Sequence, residues 1–300
     1  MAFPASSVTP PTLSNWQAYY NGVKFGVGGG AYAFYAITGL FGDAAMRTGD
    51  TPRPRDQGEW IGLDLYAGRD FTMDTDVISD GTSVQHALEA LGSALQVGGT
   101  TENPFYIQLP NLPLLVTMAR CRKWDYPINI SYGAGLVSPV ATAFHSTDPR
   151  IYTAPTNTAT CGLPTPSAGF KFPLAFNLSF NGGTGNNSVT VVNSGNFEMR
   201  PIITIAGPCL NPSISNGSIT GNPTLQFGFQ LNSGDSLVVD LDAHTAVLNG
   251  TSSRLNTMQP GFVWWNLPAS STNVISFNSQ DTSLAAGTMT VAAPAGAWIL

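Results

Sequence analysis

Only one stretch of this 300-residue sequence has the apolar periodicity of an α-helix, and this limits the folds open to the chain. Four apolar residues recur there at spacings of four, three and four, which places them on one helix face: Val84, Leu88, Leu91 and Leu95. The Asp-Gly-Thr sequence at residues 80–82 favours a helix start, and Gly98-Gly99 favours its end. We therefore expect a single helix over residues 83–97, with its apolar face packed on a sheet.

The second half of the sequence consists of short apolar segments separated by turn-forming residues, a pattern typical of β-strands. Pairs such as Asn216-Gly217 and Asn249-Gly250 fit the type I′ turns of hairpins. The predicted strands there are Phe172–Phe180, Val189–Asn193, Pro201–Ile205, Ser213–Ile219, Leu225–Leu231, Ser236–Leu241, Ala246–Leu248, Phe262–Asn266, Val274–Phe277, Thr288–Ala292 and Trp298–Leu300. This regular series predicts a β-sandwich or jelly roll.

The first half combines strands with the one helix. Its predicted strands are Trp16–Phe25, Ala31–Thr38, Trp60–Tyr66, Asp70–Asp76, Phe105–Leu109, Leu114–Ala119, Ile128–Ile130 and Leu136–Phe144. Residues 60–66 and 70–76 alternate like the two strands of a hairpin around Gly68. The polar run at residues 42–58 contains almost no large apolar side chain, so we expect a long protruding loop there. Loops of this size within a compact domain are usually functional.

Charged residues are distributed unevenly along the chain, and this divides it into two domains. Residues 1–160 hold 9 of the 12 basic and 13 of the 18 acidic side chains, and the change coincides with a Pro/Thr/Ser/Gly-rich stretch at residues 153–169. Such a stretch is typical of a linker or a long surface connection. We expect a mainly β protein, with an α+β domain over residues 1–160 and a β-sandwich over residues 161–300.

The overall charge argues against some classes of partner. Only 10% of the residues are charged and the net charge is −6, whereas a nucleic-acid surface needs a basic stripe to neutralise phosphates. The one local basic cluster, Arg120-Cys121-Arg122-Lys123, is more typical of a solvated strand face. No apolar run reaches the roughly 18 residues that span a bilayer, and the N-terminus lacks the pattern of a secretory signal. We expect synthesis in a cytoplasm and no membrane insertion.

No catalytic or metal-binding motif is present in a convincing context. Gly26-Val-Gly-Gly-Gly-Ala31 matches a dinucleotide-binding pattern, but a β-prone aromatic run follows it instead of a helix. The acids of residues 74–80 resemble the start of a calcium loop without its later ligands, and we interpret them as favouring the helix N-terminus. Three widely spaced cysteines favour buried free thiols: Cys121, Cys161 and Cys209. We expect no enzyme activity, no cofactor and no metal.

The adjacent pair Trp264-Trp265 leaves a binding function open. Neighbouring residues on a strand point to opposite faces, so we expect one indole in the core and the other directed outward or into an interface. Aromatic side chains on a polar β-sandwich can also form a platform for sugars. A carbohydrate-binding or adhesin-like protein that recognises host cell-wall glycans is therefore an alternative function.

The order of these features resembles the distal tail proteins of siphophages, and the likeness extends over most of the chain. It is strongest in segments of the second half: residues 193–208 (NSGNFEMRPIITIAGP), 211–216 (NPSISN), 234–240 (GDSLVVD), 247–250 (VLNG), 264–267 (WWNL) and 273–277 (NVISF). In the first half, residues 62–77, the predicted helix and residues 144–152 (FHSTDPRIY) are similar to that family's first domain. The polar run at residues 42–58 matches least.

The resemblance implies a structural virion protein at the tail tip. Its tail-tube-like first domain would close as a homohexameric ring around a lumen that DNA crosses, with a galectin-like sandwich outside. The other expected partners are the tail tube protein, a tail-associated hub protein and, as a further candidate, the tape measure protein. Residues 42–58 would be an arm that reaches a neighbouring subunit through Arg47, Arg53, Arg55 and Asp56. Another jelly-roll virion or baseplate component is a second alternative.

Overall fold

The computed structural model describes residues 9–28, 30–79, 81–97, 99–164, 186–280 and 286–299. These residues form two compact units. The first contains the described residues up to Pro155 together with Trp298 and Ile299, and the second runs from Thr156 to Ala297. Within the described residues, no helix is long and apolar enough to cross a membrane.

The first unit is built on one antiparallel sheet and one helix. Its elements are β1 Gln17–Tyr20, β2 Val23–Gly26, β3 Tyr32–Thr38, β4 Met46–Arg47, β5 Thr51–Pro52, β6 Glu59–Trp60, β7 Leu65–Tyr66, β8 Arg69–Ile78, α1 Val84–Ala94, β9 Asn103–Gln108, β10 Leu115–Asp125, a 3₁₀ turn Ile130–Ala134, β11 Leu136–Ser146 and β12 Ile151–Thr153. The sheet order is β2-β1-β9-β10-β11-β8-β3, and β12 pairs with β10. The strands β4 to β7 form two separate pairs outside this sheet.

An aromatic core holds the first unit together, and the sequence pattern of β8 shows how it forms. Every second residue of β8 is buried, because strand side chains point alternately to the two sheet faces. Phe71 of β8 stacks on Phe144 of β11 at 5.1 Å, and Phe105 of β9 meets both rings. Burying each ring contributes roughly 1.5–3 kcal/mol relative to exposing it. This core fixes which face of the sheet remains outside.

The predicted helix is confirmed, but it is shorter than residues 83–97. Its N-cap is Ser83, whose hydroxyl accepts a hydrogen bond from the backbone N–H of His86 at 3.1 Å. Its C-cap is Leu95 rather than a glycine. Two of the acids expected at the helix start do not lie there, because Asp74 and Asp76 belong to β8, and the first helical turn contains no acid. The third, Asp80, lies outside the described residues. The hydroxyl cap satisfies one backbone donor of the first helical turn.

The second unit consists of antiparallel strands. Its elements are β13 Thr156–Gly162, β14 Ser188–Asn193, β15 Ile202–Ala206, β16 Cys209–Leu210, β17 Ser213–Asn216, β18 Thr224–Gln226, β19 Gln230–Leu231, β20 Ser236–Asp240, β21 Thr245–Leu248, β22 Ser252–Ser253, a 3₁₀ turn Leu255–Thr257, β23 Ser271–Asn278 and β24 Thr288–Pro294. In the last strand, β25 Ala297–Trp298, Ala297 belongs to the second unit and Trp298 to the first. One sheet has the order β13-β24-β15-β20-β21-β22 and another β14-β23-β17-β18, while β16 and β19 form a pair. In β14, β15, β20 and β23 every second residue is buried, so each of the two larger sheets buries one face, and the mainly β prediction is confirmed.

Besides the segment 60–66, four predicted strands of the described chain differ from the structure. The segment 16–25 is a hairpin, in which β1 and β2 pair across a turn at residues 21–22. Residues 128–129 are not in a strand, and the 3₁₀ turn begins at Ile130. The segment 225–231 is split into β18 and β19, because residues 227–229 leave the ladder. Residues 262–266 are irregular, although Trp265 is buried and Trp264 is half-buried, as the expected opposite orientations require. The predicted strand Phe172–Phe180 lies outside the described residues.

The state of the three cysteines agrees with the prediction made from their spacing. Cys121, Cys161 and Cys209 are free and buried. Burial raises the pKa of each thiol to about 11, since the apolar surroundings disfavour the thiolate.

Candidate subunit interface

Residues 43–67, called the arm below, form a narrow β-hairpin. Near its base β4 pairs with β7, and further out β5 pairs with β6. The backbone N–H of Arg53 donates to the carbonyl of Gly58 at 3.2 Å and closes the tip. The expectation of a long loop at residues 42–58 is therefore wrong in form, because these residues are one half and the tip of a hairpin.

The expected hairpin between residues 60–66 and 70–76 is also wrong. Residues 59–66 fold back on residues 46–52 within the arm instead. Both edges of β8 are occupied, by β3 on one side and by β11 on the other. From Thr72 to Val77, therefore, no ladder position on β8 is left for the residues that precede it.

Two glycines let the halves of the arm approach each other closely. A Cβ atom on Gly62 would overlap the carbonyl group of Gly49. At the same place the Asp50 carboxylate accepts a hydrogen bond from the backbone N–H of Gly62 at 2.7 Å. This contact ties the middle of the arm, where the two halves do not form a regular ladder.

Arg69 fixes the base of the arm to the sheet. Its side chain is buried and points to the core side of β8, where Nη1 donates to the carbonyls of Leu40 and Gly42 at 2.7 Å each. Its Nε donates to the carbonyl of Pro149 at 3.0 Å. Burial lowers the pKa of this guanidinium, an effect that the nearby Asp43 opposes. Arg69 thereby ties the segment that leads into the arm, at Leu40 and Gly42, to the start of β8 and to Pro149.

The arm exposes large apolar side chains to solvent. Ile61 is 98% exposed and Leu63 74%, and three further residues are also exposed: Met46, Trp60 and Leu65. Exposed large apolar side chains close together in one element are typical of an interaction surface, so the arm is a candidate interface. Burying these apolar side chains against a second protein chain would be more favourable than leaving them in water.

The structure places all four predicted contact residues on the arm. Arg47 lies on β4, opposite Leu65 of β7. The other three are at the tip, where Nη1 of Arg53 lies 4.0 Å from Oδ2 of Asp56 and Arg55 lies between them in the sequence. All four are exposed. The sequence did not indicate the apolar residues 60–65 as contacts, because their alternation resembles that of a core strand.

A second surface of the first unit is acidic. On β8, Asp70, Asp74 and Asp76 alternate with buried residues and therefore lie on the face away from the core, where Asp70 is exposed and Asp74 and Asp76 are half-buried. Alanines pair with two of them across the sheet: Ala36 and Ala141 with Asp74, and Ala33 with Asp76.

Tyr35 and His145 both interact with these acids. The pKa of Tyr35 is raised, first by its partial desolvation and then by the charges of Asp74 and Asp76. At the end of β8, Nδ1 of His145 lies 2.6 Å from Oδ1 of Asp70. Within the described residues, no group of three or more metal-ligating side chains is assembled.

The fold is similar to that of a phage tail protein of known structure. No protein-family profile and no curated protein sequence matches this chain. Among solved structures, the chain is similar to the Dit protein of phage SPP1, described as a paradigm of the hub adsorption apparatus in phages that infect Gram-positive bacteria. The TM-score is 0.60 at 15% identity, over 93% of this chain and 98% of that one. The expected fold resemblance is thereby confirmed.

Two structures of the phage P2 baseplate in its activated conformation are also similar. The one with Ca gives a TM-score of 0.46 over 92% of this chain and 97% of that chain, and the one with Sr gives 0.49 over 92% and 96%. The identity is 9% in both comparisons.

Proposed function

We propose that this chain is a structural protein of the phage tail tip, where six copies form a ring between the tail tube and the hub. The observation that carries the proposal is the fold shared with SPP1 Dit over nearly the whole of both chains. A structural role also fits the sequence, which contains no convincing catalytic motif. The expected partners are the tail tube protein, the tail-associated hub protein and, as a further candidate, the tape measure protein.

The arm is the element that we assign to ring closure. A protruding hairpin with exposed Ile61 and Leu63 can bury these side chains only on another surface. In a closed ring each subunit offers the same arm to the next, so every arm is covered and none is left over. Arg47, Arg53, Arg55 and Asp56 would then surround this apolar contact with charge, as the polar rim of an interface does.

The acidic face of β8 is the surface that we assign to the lumen. Asp74 and Asp76 would present negative charge to passing DNA, and their alanine partners would leave the wall without long side chains. Negative charge repels the phosphate backbone and keeps DNA from adhering. A channel for DNA needs a wall that does not bind phosphate, whereas a nucleic-acid-binding protein needs positive charge that does.

Light scattering on the purified full-length chain tests the assembly. We expect a particle near six times 31.6 kDa at micromolar concentrations. A chain that remains monomeric at all concentrations, alone and after mixing with the tail tube protein of the same phage, would contradict the proposal.

A further inference from the structure

A groove of about 640 Å³ opens on the second unit. It lies between the segments 219–224, which follows β17, and 261–266, which precedes β23, with Arg200 and His244 also in its wall. Its volume falls within the roughly 300–1,000 Å³ typical of small-molecule sites. The groove lies wholly within one unit, far along the sequence from the arm.

One wall of the groove is an aromatic plate held in a fixed orientation. The rings of His244 and Trp264 are stacked with centroids 4.9 Å apart and planes within 17°. Phe262 meets Trp264 edge-on, with centroids 6.2 Å apart. His244 has a left-handed backbone, with φ of 53°, at the turn between β20 and β21. The stack covers one face of the indole and fixes its plane.

A network of charged and amide side chains stands beside the plate. Arg200 donates to Oε1 of Glu198 at 3.1 Å and lies 3.5 Å from Oδ1 of Asp242. The side-chain amide of Asn266 donates to Oε2 of Glu198. Arg200 and Asn266 both line the groove. Donors and acceptors are thus held in place by one another before any ligand binds.

We propose that this groove binds a neutral saccharide, with a pyranose ring against Trp264 and its hydroxyls on Arg200, Asn266 and their partners. A pyranose has an apolar C–H face that packs on an aromatic plane, and hydroxyls that each donate and accept hydrogen bonds. The groove offers both requirements side by side. The ligand would therefore be a glycan made of uncharged sugars.

The charges of the network argue for a neutral ligand rather than an ionic one. One guanidinium faces two carboxylates, so the network is negative overall and disfavours phosphate or carboxylate groups. A cation bound by aromatic rings needs their faces directed at it. Here His244 covers one face of Trp264, so that face is closed to a cation.

Saturation-transfer NMR on the full-length chain tests the site with defined probes. The panel contains glucose, galactose, N-acetylglucosamine, N-acetylgalactosamine, rhamnose, lactose, maltose and chitobiose, with choline chloride and sodium phosphate as charged probes. We expect at least one saccharide to bind. In Trp264→Ala its affinity should fall at least about tenfold, whereas Trp264→Phe should retain weaker binding because a smaller plate remains. Arg200→Ala should also weaken binding.

The control variant is Trp16→Ala, which removes an exposed indole from the first unit and should bind the sugar as the unchanged chain does. Circular dichroism confirms that each variant is folded. The proposal is overturned if no saccharide of the panel binds, if Trp264→Ala binds unchanged, or if choline binds and no sugar does. Ring formation, measured by light scattering, is independent of this outcome, so either proposal can fail alone.

Discussion

Arg69 shows at the scale of one residue how this chain uses its few charges. The guanidinium is buried at the start of β8 and joins three backbone carbonyls from two segments distant in sequence. The burial of Arg69 could be predicted from the sequence, because Phe71 and Met73 alternate with polar residues and place position 69 on the core side of the strand. Its partners could not be predicted, since they lie 27, 29 and 80 positions away in the sequence.

Replacing Arg69 should destabilise the first unit. In Arg69→Ala the carbonyls of Leu40, Gly42 and Pro149 lose their donor, and a buried charged hydrogen bond is worth about 1.5–3 kcal/mol. We expect the free energy of unfolding to fall by about 2–4 kcal/mol in denaturant titrations. The matched control is Arg122→Ala, an exposed residue of β10, which should change the free energy of unfolding by less than about 0.5 kcal/mol. Equal effects of both substitutions would show that Arg69 does not hold the base of the arm.

The three thiols should be unreactive in the folded chain. Burial raises their pKa from 9.0 to about 11, and the thiolate is the reactive form. At pH 8 the folded chain should react with a disulfide reagent at least about a hundredfold more slowly than the chain in guanidinium, because two pKa units correspond to that ratio of thiolate. Rapid reaction of all three thiols without denaturant would contradict their burial.

The same shifts have a consequence for stability. A folded-state pKa above the unfolded value means that folding favours the protonated thiol. This stabilisation is complete below pH 9 and is lost as the pH rises from 9 to about 11. We expect the denaturation midpoint to decline over that interval, and less so in a Cys121→Ala, Cys209→Ala double variant. A midpoint independent of pH there would show that the thiols do not contribute.

At the scale of elements, the sequence predicted the helix and most strands but not the hairpin of the arm. The helix and most strands followed from local periodicity, because each buries a face that its own pattern defines. The arm did not, since the alternation of residues 60–66 fits a core strand equally well. Only the pairing of 59–66 with 46–52, and the occupation of both edges of β8, excludes that alternative.

The apolar side chains of the arm should control assembly without controlling folding. In an Ile61→Ser, Leu63→Ser double variant we expect the folded monomer to persist and the ring to be lost, because both side chains are exposed in the single chain. Mass measurements at equal concentrations give the readout. Ile130→Ser is the control, since Ile130 is 95% exposed on the same unit but lies outside the arm. Intact rings in the double variant would remove the arm from the interface.

At the scale of the whole molecule, the distribution of charge separates two kinds of surface. The first unit contains most of the ionised groups, including the acids of β8 and the tip of the arm. The second unit contains few, and three of these are gathered beside the groove as Glu198, Arg200 and Asp242. The uneven charge along the sequence predicted two domains. It could not predict the groove, whose residues come from four separate segments.

The most direct test of the central claim is an electron cryo-microscopy reconstruction of the purified assembly. We expect six copies around a central opening that admits duplex DNA, with β8 facing the opening and each arm on the next subunit. A ring in which β8 faces outward would contradict the assigned lumen. A preparation that contains only single chains would contradict the ring itself.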